Sequence, residues 1–354
     1  MAHLTMPRSP VLTKCRRPEI PSYATTMVHK ICHYLGESVD PYENLAIEQY
    51  LMETVGEDTC ILYLWQNSHT VVIGRNQNAW GECRTTELNR AGGHLARRLS
   101  GGAAVYHDMG NLNFTFLVSK KNYDLPRQLQ VIVTACRNLG LNAQITGRND
   151  VAIDGRKFSG NAFFDSKGQA YHHGTLLVDV DMSKLGQYLM PSKAKLQSKG
   201  VDSVRSRVVN LRELCPELTI QRMKEEMLKA FQTVYGMPSE EMTAAQFDRD
   251  YVNQLRERNA SWDWNYGKSL PASFVCEERY PWGGIQLQLQ VEKGRVVAAA
   301  VYSDAMEWDI AYILRQSLQN CLFTQQALQQ AIVEAQLPEN IQQDLCLLVE
   351  KQNI

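Results

Sequence analysis

Lys157 is the first residue whose surroundings suggest chemistry: Lys157-Phe158-Ser159-Gly160-Asn161 follows Gly147-Arg148-Asn149-Asp150. Alternate side chains of a strand share a face, which groups Lys157, Ser159 and Asn161 opposite Phe158, Gly160 and Ala162. A compact cation among small polar residues suits a reaction that brings oxygens of two reactants together. Gly160 leaves room for close approach. The ordinary alternative is a solvated lysine on an edge strand, with Asp150 an ordinary carboxylate at a strand start.

The second segment is Arg97-Arg98-Leu99-Ser100-Gly101-Gly102-Ala103-Ala104-Val105-Tyr106-His107-Asp108. Small residues let backbone approach a ligand and aim N–H groups at an anion, and a neighbouring arginine can grip phosphate or carboxylate. A glycine-rich turn beside surface arginines explains it equally well. No Gly-Lys-Ser/Thr follows, so it is not a Walker A loop. In Tyr171-His172-His173-Gly174-Thr175 the adjacent histidines must point to opposite strand faces, so at most one lines a pocket and the two cannot share a metal. One buried and one exposed histidine is the plain expectation. The basic run Lys193 to Val208 is either a loop over a nucleotide or a solvated charge run.

These segments need a scaffold. Asp40 before Pro41 starts a helix over 41–55. Ile61 to Trp65 and Thr70 to Gly74 read as paired strands joined at Asn67-Ser68. Leu112 to Val118 is a further strand, and Leu125 to Leu139 a helix closed by Gly140. Residues 149–178 form a meander turning at Asp154-Gly155. Helices are expected from about 182 to 258. Strands follow at 273–280, 285–291 and 295–302 with a Glu-Lys-Gly turn, then three helices. The fold class is α+β: residues 28–255 form a large domain of mixed and antiparallel sheets with helices, and 260–354 a small α/β accessory domain. Residues 1–27 are basic, lack an apolar core and are expected to be a disordered extension.

The 354 residues carry a formal net charge of −1, against the basic footprint of a general nucleic-acid binder. Nine scattered cysteines, with no CxxC pair, fit reduced thiols in the cytoplasm. No apolar run is long enough for a membrane span.

Taken in order, several motifs resemble the lipoate–protein ligase A family of the biotin/lipoate ligase superfamily. They are Pro41-Tyr42-Glu43-Asn44-Leu45-Ala46-Ile47-Glu48, Leu64-Trp65-Gln66-Asn67, Thr70 to Asn78, Arg97 to Asp108 with Gly110-Asn111, Gly147 to Asp150, Lys157 to Gly160, His172 to Leu177, Ser203 to Ser206, and Trp262, Trp264, Asn265, Gly267, Trp282 and Gly283. Ala103 stands where the family commonly has a third glycine. The resemblance implies ATP and Mg²⁺ as cofactors, lipoate (and octanoate) as substrate, and activation to lipoyl-AMP. The acyl group then passes to a lysine of apo lipoyl domains, those of 2-oxoacid dehydrogenase E2 subunits and the glycine cleavage H protein, with the enzyme a cytoplasmic monomer. Lys157 would be catalytic, touching both lipoate carboxyl and α-phosphate. Arg98, Ala103, Ala104, Val105, Tyr106, Asn149, Asp150 and Ser203 would contact ATP; Gly101, Gly102 and His173 would contact lipoate. The Lys193–Arg207 loop would close over the adenylate. A lipoyl or octanoyl transferase using a preactivated donor shares these motifs. A thioester-forming enzyme would need a pocket cysteine, which none of the segments contains, and the Gly-Arg-Gly-Arg loop typical of a biotin ligase is absent. A non-catalytic binder would have no use for Lys157.

Overall fold

A computed structural model of the protein describes residues 28–147, 150–190, 208–266 and 272–352. Residues 1–27, Arg148, Asn149, Ser203 and the loop from Lys193 to Arg207 lie outside the described residues.

The described residues form the strands β1 (Lys30–Leu35), β2 (Thr59–Trp65), β3 (Thr70–Ile73), β4 (His94–Arg97), β5 (Val105–His107), β6 (Asn111–Ser119), β7 (Ala143–Thr146), β8 (Asp150–Ile153), β9 (Arg156–Ser166), β10 (Gln169–Leu177), β11 (Ser239–Glu241), β12 (Phe274–Tyr280), β13 (Gly283–Glu292) and β14 (Arg295–Ser303). The helices that matter here are α1 (Pro41–Thr54), α2 (Leu125–Asn138), α3 (Ile220–Tyr235), α4 (Arg249–Ala260), α5 (Trp262–Tyr266), α6 (Ile310–Leu318), α7 (Gln325–Glu334) and α8 (Glu339–Glu350).

The large sheet has the order β11-β1-β2-β6-β10-β9-β8-β7. It is mixed, because β1 runs parallel to both β11 and β2 while the other pairs are antiparallel. All nine residues of its central strand β6 are buried, as expected of a strand covered on both faces. On one face Phe114, Phe116 and Val118 pack with Val131, Ile132 and Cys136 of α2 and Met227 and Phe231 of α3. On the other, Leu117 and Tyr171 join Leu45, Ile47 and Leu51 of α1 and Val252 and Leu255 of α4. Asp40 caps α1, accepting from the Tyr42 N–H at 2.9 Å.

One sequence expectation fails at the level of pairing. Asn67-Ser68 does not close a hairpin: β2 lies between β1 and β6, whereas β3 leaves for a second sheet of order β4-β3-β5. Thr70–Ile73 is buried throughout, and a short apolar run is equally suited to either sheet. Strands β1 and β11 also escaped the sequence reading. The meander is as expected, with Asp154 and Gly155 both at positive φ in its first turn.

The accessory domain has a core of its own, with the antiparallel sheet β12-β13-β14 packed through Leu287, Leu289 and Val301 against Leu314, Ile332, Leu345 and Leu348 of α6–α8. Its β13–β14 turn is made by Lys293 and Gly294 at positive φ.

Candidate active site

A cavity of about 130 Å³ lies where the small sheet meets β9 and β10. Its walls include Trp65, Ala103, Lys157, Gly160, His173 and Met306. Strands of both sheets, α1, the glycine loop and the accessory domain all contribute to its lining.

Lys157 reaches the cavity because strand β9 is irregular. Ala152 pairs with Lys157 but Val151 pairs with Ser159, so Phe158 is an extra residue in a bulge. Bulges re-aim side chains, and this one corrects the alternation expected from sequence. Phe158 and Ser159 both turn into the protein at 0% exposure, while Lys157 swings over the face of Gly160. A Cβ on Gly160 would come within 2.9 Å of Lys157 Nζ. Asn161 also lines the cavity, its Oδ1 2.8 Å from His172 Nε2. The Lys157 ammonium is ion-paired to Asp150 Oδ1 at 2.6 Å, both side chains about one-third exposed.

The two arginines ahead of the glycine loop point inward. Arg97 donates to the carbonyls of Gly74, Arg75 and Gln77 through Nη1, of Trp264 through Nε and of Asn265 through Nη2. Arg98 donates to Ser100 Oγ and to the carbonyls of Gly101, Ala103 and Val72. Burial lowers both to about 10, still cationic at neutral pH. Arg98 lines the cavity, yet its donors are spent on shaping the loop.

The glycines are used for close approach. A Cβ on Gly74 would lie 2.3 Å from the Gly102 carbonyl, and one on Gly101 2.3 Å from the Ala305 carbonyl. Gly102 takes φ +89° and donates its N–H to the Ala305 carbonyl at 3.0 Å. In this arrangement that N–H faces the accessory domain rather than a ligand. Ala103 is not among the residues at positive φ, so its methyl is accommodated without backbone strain. Ala104 sits in the loop and Val105 at the cavity edge, whereas Tyr106 turns its ring into the core of the small sheet.

Both histidines of β10 are buried, against the expectation of one exposed. They point to opposite faces. His172 packs on Phe116 and Phe163, and burial holds it at about 3, hence neutral. His173 lines the cavity, with Nδ1 2.8 Å from Glu48 Oε1 and Nε2 2.7 Å from Ser100 Oγ.

Glu48 and Met306 were not singled out from sequence. Glu48 gives a faint signal, a carboxylate on the apolar stripe Leu45, Ile47, Leu51. Met306 gives none, since it arrives from the accessory domain. Among the described residues no group of three His, Cys, Asp or Glu side chains is placed to hold a metal, and no helix is long and apolar enough to cross a membrane.

Residues 40–232 match the model of the lipoyl protein ligase A/B catalytic domain, and 269–346 that of the bacterial lipoate protein ligase C-terminus. Among solved structures, LipL1 of P. falciparum in complex with lipoate is 24% identical; the match covers 89% of this chain and 98% of that one, with a TM-score of 0.78. The bipartite lipoate protein ligase of Thermoplasma acidophilum, described with its E2 lipoyl domain, is 26% identical over 69% of this chain and 99% of its own, TM-score 0.61. A lipoate-protein ligase A bound with ATP is 24% identical over 67% and 98%, TM-score 0.58.

Proposed function

From the premise that this chain belongs to the lipoyl protein ligase A/B catalytic-domain family, we propose that it is an ATP-dependent lipoate–protein ligase. Lipoate carboxylate attacks the α-phosphorus of ATP, giving lipoyl-AMP and pyrophosphate. The amine of a carrier lysine then attacks the acyl carbon, forming the amide and releasing AMP. A carboxylate is inert toward amines because its oxygen leaves poorly, and the mixed anhydride removes that obstacle.

The observation that carries this reading is the Lys157 ammonium, re-aimed by the β9 bulge into a cavity walled by the glycine loop. Two mutually repelling anions need a fixed cation between them. Leaving Asp150 for the two anions is the exchange asked of Lys157. Mg²⁺, when bound, would supply charge neutralisation on the phosphates, and Asp150, the carboxylate beside Lys157, would share in holding it. The apolar side chains of Trp65, Leu45 and Val72 fit the acyl chain, with Gly102 and His173 at its edge; Gly101, expected beside lipoate, instead packs its backbone against Ala305. Carriers are apo lipoyl domains.

The cysteines weigh against a thioester route. Among the described residues no cysteine lines the cavity, and burial pushes the Cys60, Cys83 and Cys136 thiols up to about 12, away from the nucleophilic thiolate. Transfer from preactivated lipoyl-AMP would use the same pocket. Formation of lipoyl-AMP from ATP and lipoate, read by pyrophosphate release, separates the two; transfer from synthetic lipoyl-AMP without pyrophosphate release would replace the ligase reading with that of a transferase.

A further inference from the structure

Behind the cavity wall runs an unbroken chain of buried hydrogen bonds linking α1 to the glycine loop. Trp65 Nε1 donates to Thr115 Oγ1 at 3.1 Å, and Thr115 Oγ1 donates to Glu48 Oε1 at 2.7 Å. Glu48 accepts again from His173 Nδ1 at 2.8 Å, and His173 Nε2 meets Ser100 Oγ at 2.7 Å. Ser100 Oγ accepts from Arg98 Nε at 3.0 Å, and Arg98 holds the Gly101 and Ala103 carbonyls. Glu48, Thr115 and Ser100 are at most 2% exposed.

The chemistry of each group fixes the direction of the chain. A carboxylate only accepts, so the proton of a neutral His173 ring sits on Nδ1. Nε2 is then an acceptor, and Ser100 must donate to it. That leaves the Ser100 lone pairs for Arg98, which only donates. Glu48 and Arg98 are thus joined through His173 and Ser100. The Ser–His–Glu order resembles a nucleophile triad, but Ser100 is fully buried and does not line the cavity.

We propose that Glu48 is a positioning residue: through His173 and Ser100 it fixes the conformation of the loop Gly101–Ala103 that the ligase reaction uses. This rests on the proposed ligase reading for its kinetic consequence, and on the structure alone for the coupling. Glu48 and Ser100 share His173 as a hydrogen-bond partner, the shortest bonded route between them.

The test is a double-variant cycle on the full-length protein, combining Glu48→Gln and Ser100→Ala. Each alone should lower kcat/KM for lipoate by roughly tenfold, and the double variant should be no worse than the poorer single one, as for neighbours in one network. Fold-changes that multiply would overturn the proposal. Protein isotope-labelled at histidine and glycine gives a readout independent of turnover. The wild type should show His173 protonated at Nδ1, and Glu48→Gln should shift both that imidazole and the Gly101 and Gly102 amides. A spectrum in which those amides stay in place would also overturn it. If Glu48→Gln does not fold, Ser100→Ala decides: the His173 signals must shift. A wild type that modifies no carrier yet shows the coupled spectrum would refute the ligase reading and leave the relay standing.

Discussion

Lys157 Nζ lies 2.6 Å from Asp150 Oδ1, across a bulge that turns the lysine over the bare face of Gly160. The pair is one-third exposed or more, so its worth to stability is at most about 1 kcal/mol. Lys157→Ala should therefore fold normally while pyrophosphate release falls by about a hundredfold or more, the loss typical of a group that stabilises transition-state charge. Gly160→Ala should imitate it in part, because its methyl would displace the end of a flexible side chain. Both are checked by pyrophosphate release beside a thermal melt. Wild-type release from Lys157→Ala would remove the lysine from the mechanism.

The glycine loop makes an asymmetric prediction. Gly101→Ala drives a methyl into the Ala305 and Met306 carbonyls, 2.3 and 2.9 Å away, and should separate the loop from the accessory domain. Ala103→Gly restores the glycine common in the family at a position without positive φ. It should change stability by less than about 1 kcal/mol. Urea midpoints of the two variants should differ clearly, and equal midpoints would mean that the loop is not packed as described.

Arg97→Ala would strand buried acceptors on Gly74, Gln77 and Asn265. Several unsatisfied groups at about 1–3 kcal/mol each put the loss near 3–5 kcal/mol. Arg97→Lys should recover little, since one ammonium cannot span carbonyls on both sides of the loop. A loss under about 1 kcal/mol in equilibrium unfolding would contradict this.

Acid should unfold the protein through its buried histidines. Burial, with the charge of Arg98 nearby, holds His107 at about 3, and burial holds His172 at about 3. The usual unfolded value is 6.5, so between 3 and 6.5 the unfolded chain binds more protons. Stability contributed by their neutral burial is complete above pH 6.5 and is lost as pH falls towards 3, at about 1.4 kcal/mol per unit per histidine. The melting temperature should be flat just above pH 6.5 and drop below it. His172→Gln should make the acid limb shallower, and an unchanged slope would show that His172 is not the group titrating.

Much of this was legible in the sequence because it is local. Asp40-Pro41 announces α1, Gly140 ends the α2 segment, and Asp154-Gly155 sets the first turn of the meander. What was not legible is long-range. Nothing in Thr70–Ile73 says that it pairs with β4 rather than β2, for buried apolar runs suit either partner. Strict alternation around Lys157 was broken by one extra residue, invisible in composition but decisive for where the ammonium goes. Sequence shows the Arg98 guanidinium but not the Gly101 and Ala103 carbonyls to which it donates. Met306 lines the cavity only because the accessory domain docks through contacts such as Ser303 N–H to the Asn76 carbonyl at 2.8 Å.

The central claim is tested most directly by the intact mass of an apo lipoyl domain after incubation with this protein, lipoate and Mg-ATP. The account predicts a gain of one lipoyl group that requires ATP and is abolished by Lys157→Ala. No gain with ATP and lipoate, under conditions in which the same domain is lipoylated by an authentic ligase, would contradict it.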